Sequence, residues 1–259
     1  MSTENENTVV PLSKRKIACK DCSLFQICLP VGITGEELER LEQIIQRRRP
    51  VKRGDHLYQG GDPFRSIYAV RSGSIKSYVP TESGNEQVTG FHLPGELLGL
   101  DAISNKVHPC SAKALETTSV CEIPYEQFEL LSNEMPVLHR QLITLMSKEI
   151  FEEETHTILL GKKSAEERLA AYLFSISSRY HRRGFSASEF YLSMSRNDIG
   201  NYLGLAVETV SRMFTRFQEE GLLSVERKHI IIHDLERLKA LAGAVPGKCG
   251  EQFFCLKNL

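Results

Sequence analysis

Cys19, Cys22 and Cys28 stand in the run Cys-Lys-Asp-Cys-Ser-Leu-Phe-Gln-Ile-Cys, a C-x2-C-x5-C spacing, and Cys121 lies far downstream. The run brings three thiolates onto one short loop, and a distant fourth can close a four-sulfur cage. Soft thiolate cages select zinc or iron–sulfur clusters over harder ions. Zinc is redox-inert, whereas an iron–sulfur cluster responds to oxidants, so the two outcomes differ in function. A second set of polar residues, Glu208, Thr209, Ser211, Arg212 and Arg216, falls within nine consecutive positions of a helical pattern. Arginine can bond the O6 and N7 of guanine, glutamate accepts from cytosine N4, and serine adapts to either. That is the chemistry of a helix reading the major groove.

The 259-residue chain, 41% hydrophobic and 25% charged, has the composition of a soluble globular protein. No apolar run approaches the length of a membrane span, and Met1 to Val10 is polar and acidic without the apolar core of a secretory signal. Seven cysteines, an odd number without the spacing of a disulfide framework, are expected as metal ligands or free thiols in a reducing cytoplasm. The net charge of −1 conceals an asymmetry: residues 1–161 carry −5 and residues 162–259 carry +4. A basic C-terminal part behind an acidic N-terminal part suits a DNA-binding domain joined to a regulatory one. No phosphate-cradling Gly-rich loop, nucleophile–base pair or dinucleotide fingerprint is found, which argues against an enzyme.

The elements that position these residues are legible in outline. Residues 1–33 read as a flexible N-terminus and the cysteine loop. Thr34 to Arg48 reads as a helix, with Thr34 and Glu37 forming a capping box. From Pro50 to about Pro124, short β-rich runs (Ser66 to Val70, Ile75 to Val79, Gln87 to Leu93, Val120 to Ile123) alternate with glycine turns, so 34–135 is expected as a β-roll. Residues 136–161 form one long helix. Its stripe Leu138, Leu142, Leu145 faces the roll, while His139, Ile143, Met146, Ile150, Glu153, Thr157 and Leu160 alternate by four and three as a seam for a partner helix. Glu153 is the odd member: in a two-fold dimer it faces its own copy, beside Glu152 and Glu154. In 162–243, Ser195 caps a helix to Leu203, Gly204 turns the chain, and a second helix runs from about Ala206 to Glu219. Leu203, Leu205 and Val210 lock the pair, and Leu223 to Val225 with Ile230 to His233 form a wing. Residues 244–259 are expected as a disordered tail, with Cys249, Cys255 and the pair Phe253-Phe254.

The motifs Tyr68-Ala-Val-Arg-Ser-Gly73, Gly90-Phe-His-Leu-Pro-Gly95, Leu115-Glu-Thr-Thr-Ser-Val-Cys-Glu-Ile-Pro124, Ala165-Glu-Glu-Arg-Leu-Ala170 and Gly200-Asn-Tyr-Leu-Gly-Leu-Ala-Val-Glu-Thr-Val-Ser-Arg212 resemble those of the FNR regulators, the anaerobic branch of the CRP/FNR superfamily, over roughly residues 17 to 243. The resemblance implies an α+β chain: an N-terminal β-roll like a cyclic-nucleotide-binding jelly roll, a dimerisation helix, and a C-terminal winged helix-turn-helix. It implies an oxygen-responsive regulator, cytoplasmic and homodimeric, in which a [4Fe–4S] cluster supports DNA binding without oxygen. The ligands it implies are Cys19, Cys22, Cys28 and Cys121, with Asp21, Ser23, Phe25 and Ile27 tuning access. Its base readers fall on Glu208, Ser211 and Arg212, for palindromic double-stranded sites like TTGAT-N4-ATCAA. The switch positions of its dimer helix fall on Ile150 and Glu153, and loops around Ser72 and Gly84 resemble surfaces that touch RNA polymerase.

Two departures accompany the resemblance. Where the cyclic-nucleotide branch carries an Arg-Ser-Ala motif for the phosphate, this chain has Cys110-Ser111-Ala112, so cyclic AMP is not the expected effector. Cys110 is also an alternative fourth ligand, although strand context and the resemblance favour Cys121. The tail has no counterpart. His92, His108 and His139 are expected as structural or surface residues. A zinc-stabilised regulator indifferent to oxygen is the alternative to the cluster reading.

Overall fold

A computed structural model describes residues 18–81 and 84–243. The expectations for Met1 to Lys16 and for the tail with Cys249 and Cys255 lie outside the described residues. Leu24, Leu29 and Ile33 are buried and pin the cysteine loop onto the roll. At about 1.5–3 kcal/mol per fully buried aliphatic side chain, this burial is a main contribution to holding the loop in place. Helix α1 (Gly35–Ile44) follows. It is shorter than expected, because Gln46–Arg47 instead forms strand β1. The expected capping box is absent: Thr34 occupies the N-cap but its side chain makes no cap hydrogen bond.

The roll is built from two four-stranded antiparallel sheets. One has the order β1, β8 (Ser119–Pro124), β3 (Ser66–Ser72), β6 (Leu97–Leu98), and the other β2 (His56–Tyr58), β7 (Ser111–Ala114), β4 (Ile75–Pro80), β5 (Glu86–His92). In the first sheet Ala69 and Arg47 both oppose Cys121, and the β3–β8 register shifts between Val70 and Ser72. Strand alternation then decides which way β8 presents its residues. Val120 joins one core cluster, and Cys121 and Ile123 join the cluster under the cysteine loop. Gly73, at φ +81, is required at the β3–β4 turn, since a Cβ there would lie 2.5 Å from Thr118 Oγ1.

Helix α2 (Tyr125–Glu134) leads to the 27-residue helix α3 (Pro136–Lys162), about 40 Å long at 1.5 Å per residue. Leu138 is fully buried and Leu142, Leu145 and Met146 pack partly against the roll. Helix α4 (Ala165–His181) begins with a formed capping box between Ser164 and Glu167. After β9 (Glu189–Tyr191) come α5 (Arg196–Leu203), α6 (Val207–Glu219), β10 (Leu223–Glu226), β11 (His229–Ile232) and α7 (Leu235–Leu241). The wing has three strands, ordered β10-β11-β9, one more than the expected hairpin. Tyr78, Val88, Phe91 and Leu93 of the roll share one hydrophobic cluster with Leu169, Tyr172 and Ile176 of α4, so the C-terminal unit is seated on the β4–β5 sheet.

Candidate metal centre and nucleic-acid interface

The cysteine loop opens with a single 3-10 turn, Cys19–Asp21, closed by Cys22 N–H donating to Cys19 O at 3.0 Å. Cys28 N–H donates to Leu24 O at 3.0 Å, and the Cys19 N–H is taken by the Glu42 carboxylate. Folded this way, the loop sets Cys19, Cys22 and Cys28 against Cys121 of β8. All four line one open pocket of about 40 Å³, together with Leu24, Phe25, Leu29, Ile45, Ile123 and Arg71. Burial first pushes the Cys19 thiol up to about 12, and Glu42 and the neighbouring thiols add to it. Burial likewise raises Cys28 to about 12, and raises Cys121 against the pull of Arg47 and Arg71. Without a cation Cys19, Cys28 and Cys121 are therefore neutral thiols, and metal binding there must displace protons. The two guanidiniums stand where they offset the negative charge of thiolate ligands.

Among the described residues no three Cys, His, Asp or Glu side chains are grouped so as to hold one metal ion. The four thiols share a pocket without meeting at a point. Cys110 lies apart from them, buried in the Tyr58 and Tyr68 cluster, where its Sγ donates to Asp101 Oδ2 at 3.3 Å. His108 stacks on Tyr58 with ring centroids 3.7 Å apart, and His92 meets Ser77 Oγ at 3.1 Å. These two histidines sit in the roll's packing, and His139 is exposed on α3.

On α3 the expected seam is open. Ile143 and Ile150 are 53% and 61% exposed, the kind of apolar exposure that a partner covers. His139, Glu153 and Thr157 are exposed beside them, Leu160 is half-buried, and Met146 is turned partly into its own core. Partial desolvation, then the Glu152 charge, raise the Glu153 carboxyl above its ordinary value.

The helix-turn-helix is locally determined. Ser195 and Asp198 form a capping box, and Gly204 takes φ +62 at the turn. Leu203 and Val210 are fully buried, while Arg196 lies over the Phe214 ring at 3.1 Å. Helix α6 buries Val210, Phe214 and Phe217 and leaves Glu208, Ser211, Arg212 and Arg216 outward. Arg212 Nη2 donates to Thr209 Oγ1 at 3.3 Å, and Ser211 Oγ donates to Val207 O at 2.9 Å. Arg216 is engaged within the molecule, at 2.9 Å from Glu166 and 2.8 Å from Glu220. Sequence reading did not foresee these carboxylates, because they come from α4 and the end of α6. Ser72 is the exposed last residue of β3 and Gly84 lies in an exposed bend between β4 and β5, so the two stand at opposite ends of β4, roughly 20 Å apart along the strand.

Residues 48–134 match the family described as cyclic nucleotide-binding domain, and residues 167–241 match the Crp-like helix-turn-helix domain. The chain is 55% identical to the transcriptional activator protein Anr of Pseudomonas aeruginosa, covering 87% of this chain and 92% of that protein. It is 52% identical to the fumarate and nitrate reduction regulatory protein of Yersinia pestis, over 88% and 91% of the two chains. Among solved structures, FixK2 of Bradyrhizobium japonicum superposes with a TM-score of 0.72 at 31% identity, covering 78% of this chain and 99% of that one. These relatives are transcription regulators and not enzymes, no helix among the described residues is long and apolar enough to cross a membrane, and the chain belongs to the CRP/FNR family of DNA-binding transcription regulators, beside Anr and the fumarate and nitrate reduction regulators.

Proposed function

We propose that this chain is an oxygen-responsive transcription regulator of anaerobic metabolism, in which Cys19, Cys22, Cys28 and Cys121 hold a [4Fe–4S] cluster. The observation that carries this reading is the gathering of the loop thiols and Cys121 on one largely apolar pocket. Four thiols on one apolar pocket are the soft donor set that an iron–sulfur cluster takes. When bound, the cluster supplies oxygen-labile iron–thiolate bonds between the loop and β8. Arg47 and Arg71 offset their negative charge, and Leu29 and Ile33 keep the loop in place when those bonds are absent.

The chain acts as a homodimer through α3. Ile143 and Ile150 supply the apolar contact, flanked by His139, Met146, Thr157 and Leu160, and Glu153 weakens it by facing its own copy. Dimerisation sets two copies of α6 about 34 Å apart, one turn of double-stranded DNA. Glu208, Ser211 and Arg212 read bases of a TTGAT-N4-ATCAA-like palindrome, Thr209 orients Arg212, and Arg216 serves phosphate by exchanging its internal carboxylate partners. The surfaces around Ser72 and Gly84 meet RNA polymerase in the cytoplasm. The test is binding of the full chain to such a duplex, with and without oxygen, alongside Cys121→Ser and Cys110→Ser. The reading expects tight binding only without oxygen, lost in Cys121→Ser and kept in Cys110→Ser. Oxygen-independent binding by a protein that contains zinc would replace it with a constitutive regulator.

A further inference from the structure

Within one subunit, the cysteine loop and the DNA-binding unit meet at the turn between β5 and β6. Gly95, at φ +89, is pressed by the loop: a Cβ built there would lie 3.0 Å from Ile27 Cδ1 and Cγ1, and Ile27 is the residue before Cys28. Gly95 N–H donates to Val70 O at 2.7 Å, and Val70 N–H donates to Glu96 O at 2.9 Å. Val70 and Arg71 line the cysteine pocket itself. The turn is thus held on one side by the loop and on the other by the strand beneath that pocket.

The next residue carries charge across to α4. Glu96 Oε1 accepts from Arg179 Nε at 2.9 Å and from Arg183 Nη2 at 2.6 Å, while its Oε2 accepts from Leu93 N–H at 2.9 Å and is also reached by Arg179 Nη2. Arg183 Nε closes onto Pro94 O at 2.6 Å, and Arg179 also donates to Phe91 O. The Arg183 side chain is 3% exposed and that of Arg179 17%. One carboxylate therefore serves two guanidiniums largely withdrawn from water. A buried charge stripped of its partner costs several kcal/mol, so this end of α4 can sit on the roll only where Glu96 is. Helix α4 in turn carries the reader: Arg168 donates to Leu203 O at 3.0 Å, at the end of α5, and α4 shares its core with Val210, Phe214 and Phe217 of α6.

We propose that Glu96 is a positioning residue for DNA recognition: through Arg179 and Arg183 it fixes the angle at which the winged helix-turn-helix stands on the β-roll, and the cysteine loop, through Ile27 on Gly95, sets where that carboxylate lies. The second half rests on the cysteine loop being the sensory element. This route stays inside one subunit and runs beside the dimer helix. A second ionic contact, Lys76 Nζ at 2.6 Å from Glu86 and 2.9 Å from Asp198, joins the same two units but touches no residue of the loop. It provides an internal control.

The test uses the full chain prepared without oxygen, as wild type, Glu96→Gln, Glu96→Asp and Ile27→Ala. Four quantities are measured: affinity for the palindromic duplex, iron content, sedimentation, and amide exchange of residues 176–184. Glu96→Gln is expected to raise the Kd for DNA about tenfold or more with iron and dimer fraction unchanged, and Glu96→Asp to recover most of that loss. Ile27→Ala is expected to speed exchange at 176–184 while leaving the β4–β5 strands around Lys76 as they were. A Glu96→Gln Kd within about twofold of wild type, or unaltered exchange in Ile27→Ala, overturns the proposal. Wild-type protein without iron, together with the expected variant effects, would remove the oxygen-sensing reading and leave the positioning role standing.

Discussion

Arg212 donates to the Thr209 hydroxyl one turn back on α6, which fixes a long side chain that would otherwise sweep a wide arc. Arg216, on the same exposed face, is held by Glu166 and Glu220, so the two arginines are prepared for different tasks. Replacing Arg212 with alanine should cost about 1–3 kcal/mol of discrimination at the G·C pair of each half-site. Binding to duplexes altered at that one pair measures it, and an unchanged preference assigns the pair to another residue. Glu149 offers a second test at this scale. Its burial, then the charges of Asp101, Glu153, Glu152 and Glu96, push its carboxyl from the ordinary 4.5 up to about 7. The folded state thus favours the protonated acid. Its contribution to stability is complete below pH 4.5 and is lost as pH rises through about 7. Glu149→Gln should therefore gain stability over wild type at pH 8, up to about 3 kcal/mol, and little at pH 5. Urea unfolding of both proteins at the two pH values reads the difference, and a gain independent of pH would point to packing instead.

At the scale of elements, α3 has two faces with different obligations. Leu138 is fully buried in its own subunit, whereas Ile143 and Ile150 stay open to a partner. Farther along, His156 stacks on Tyr202 of α5 with centroids 4.1 Å apart, so the helix proposed to pair the subunits also touches the helix-turn-helix. If Glu153 is what holds the dimer near its threshold, Glu153→Ala should sediment as a dimer in air and bind DNA there. Aerobic monomers of that variant would refute this. The core-facing stripe of α3 at Leu138, Leu142 and Leu145 is legible in the sequence because a long helix repeats its pattern many times. So are α5 and α6, whose boundaries are announced by Ser195 and Gly204. Strands β1 and β6 are not, since two residues each carry no periodicity and pairing with β8 and β3 alone defines them. The failure of Thr34 to cap α1 shows the limit of a local rule: the right residue occupies the position, but its side chain makes no bond. Cys121 is legible as a ligand candidate from its motif, yet only the β8 register shows which way it faces. The Glu96 pair with Arg179 and Arg183 joins positions more than 80 residues apart and leaves no local sign at all.

Across the whole molecule, the acidic N-terminal part and the basic DNA-binding part are joined by a shared hydrophobic core and by ionic contacts at Asp198 and Glu96, rather than by a free linker. Under the proposed function, a change in the cysteine pocket reaches DNA by two routes: the population of dimers through α3, and the seating of α4 through Glu96. An oxygen response by either route depends on the pocket holding an oxygen-labile group. The most direct measurement is the visible absorption spectrum and sedimentation of protein reconstituted with iron and sulfide without oxygen, followed as air is admitted, with metal and sulfide assayed on the same sample. The account predicts a brown dimer with about four irons per chain that bleaches in air and becomes monomeric. A colourless protein with one zinc ion and an unchanged mass in air would contradict it.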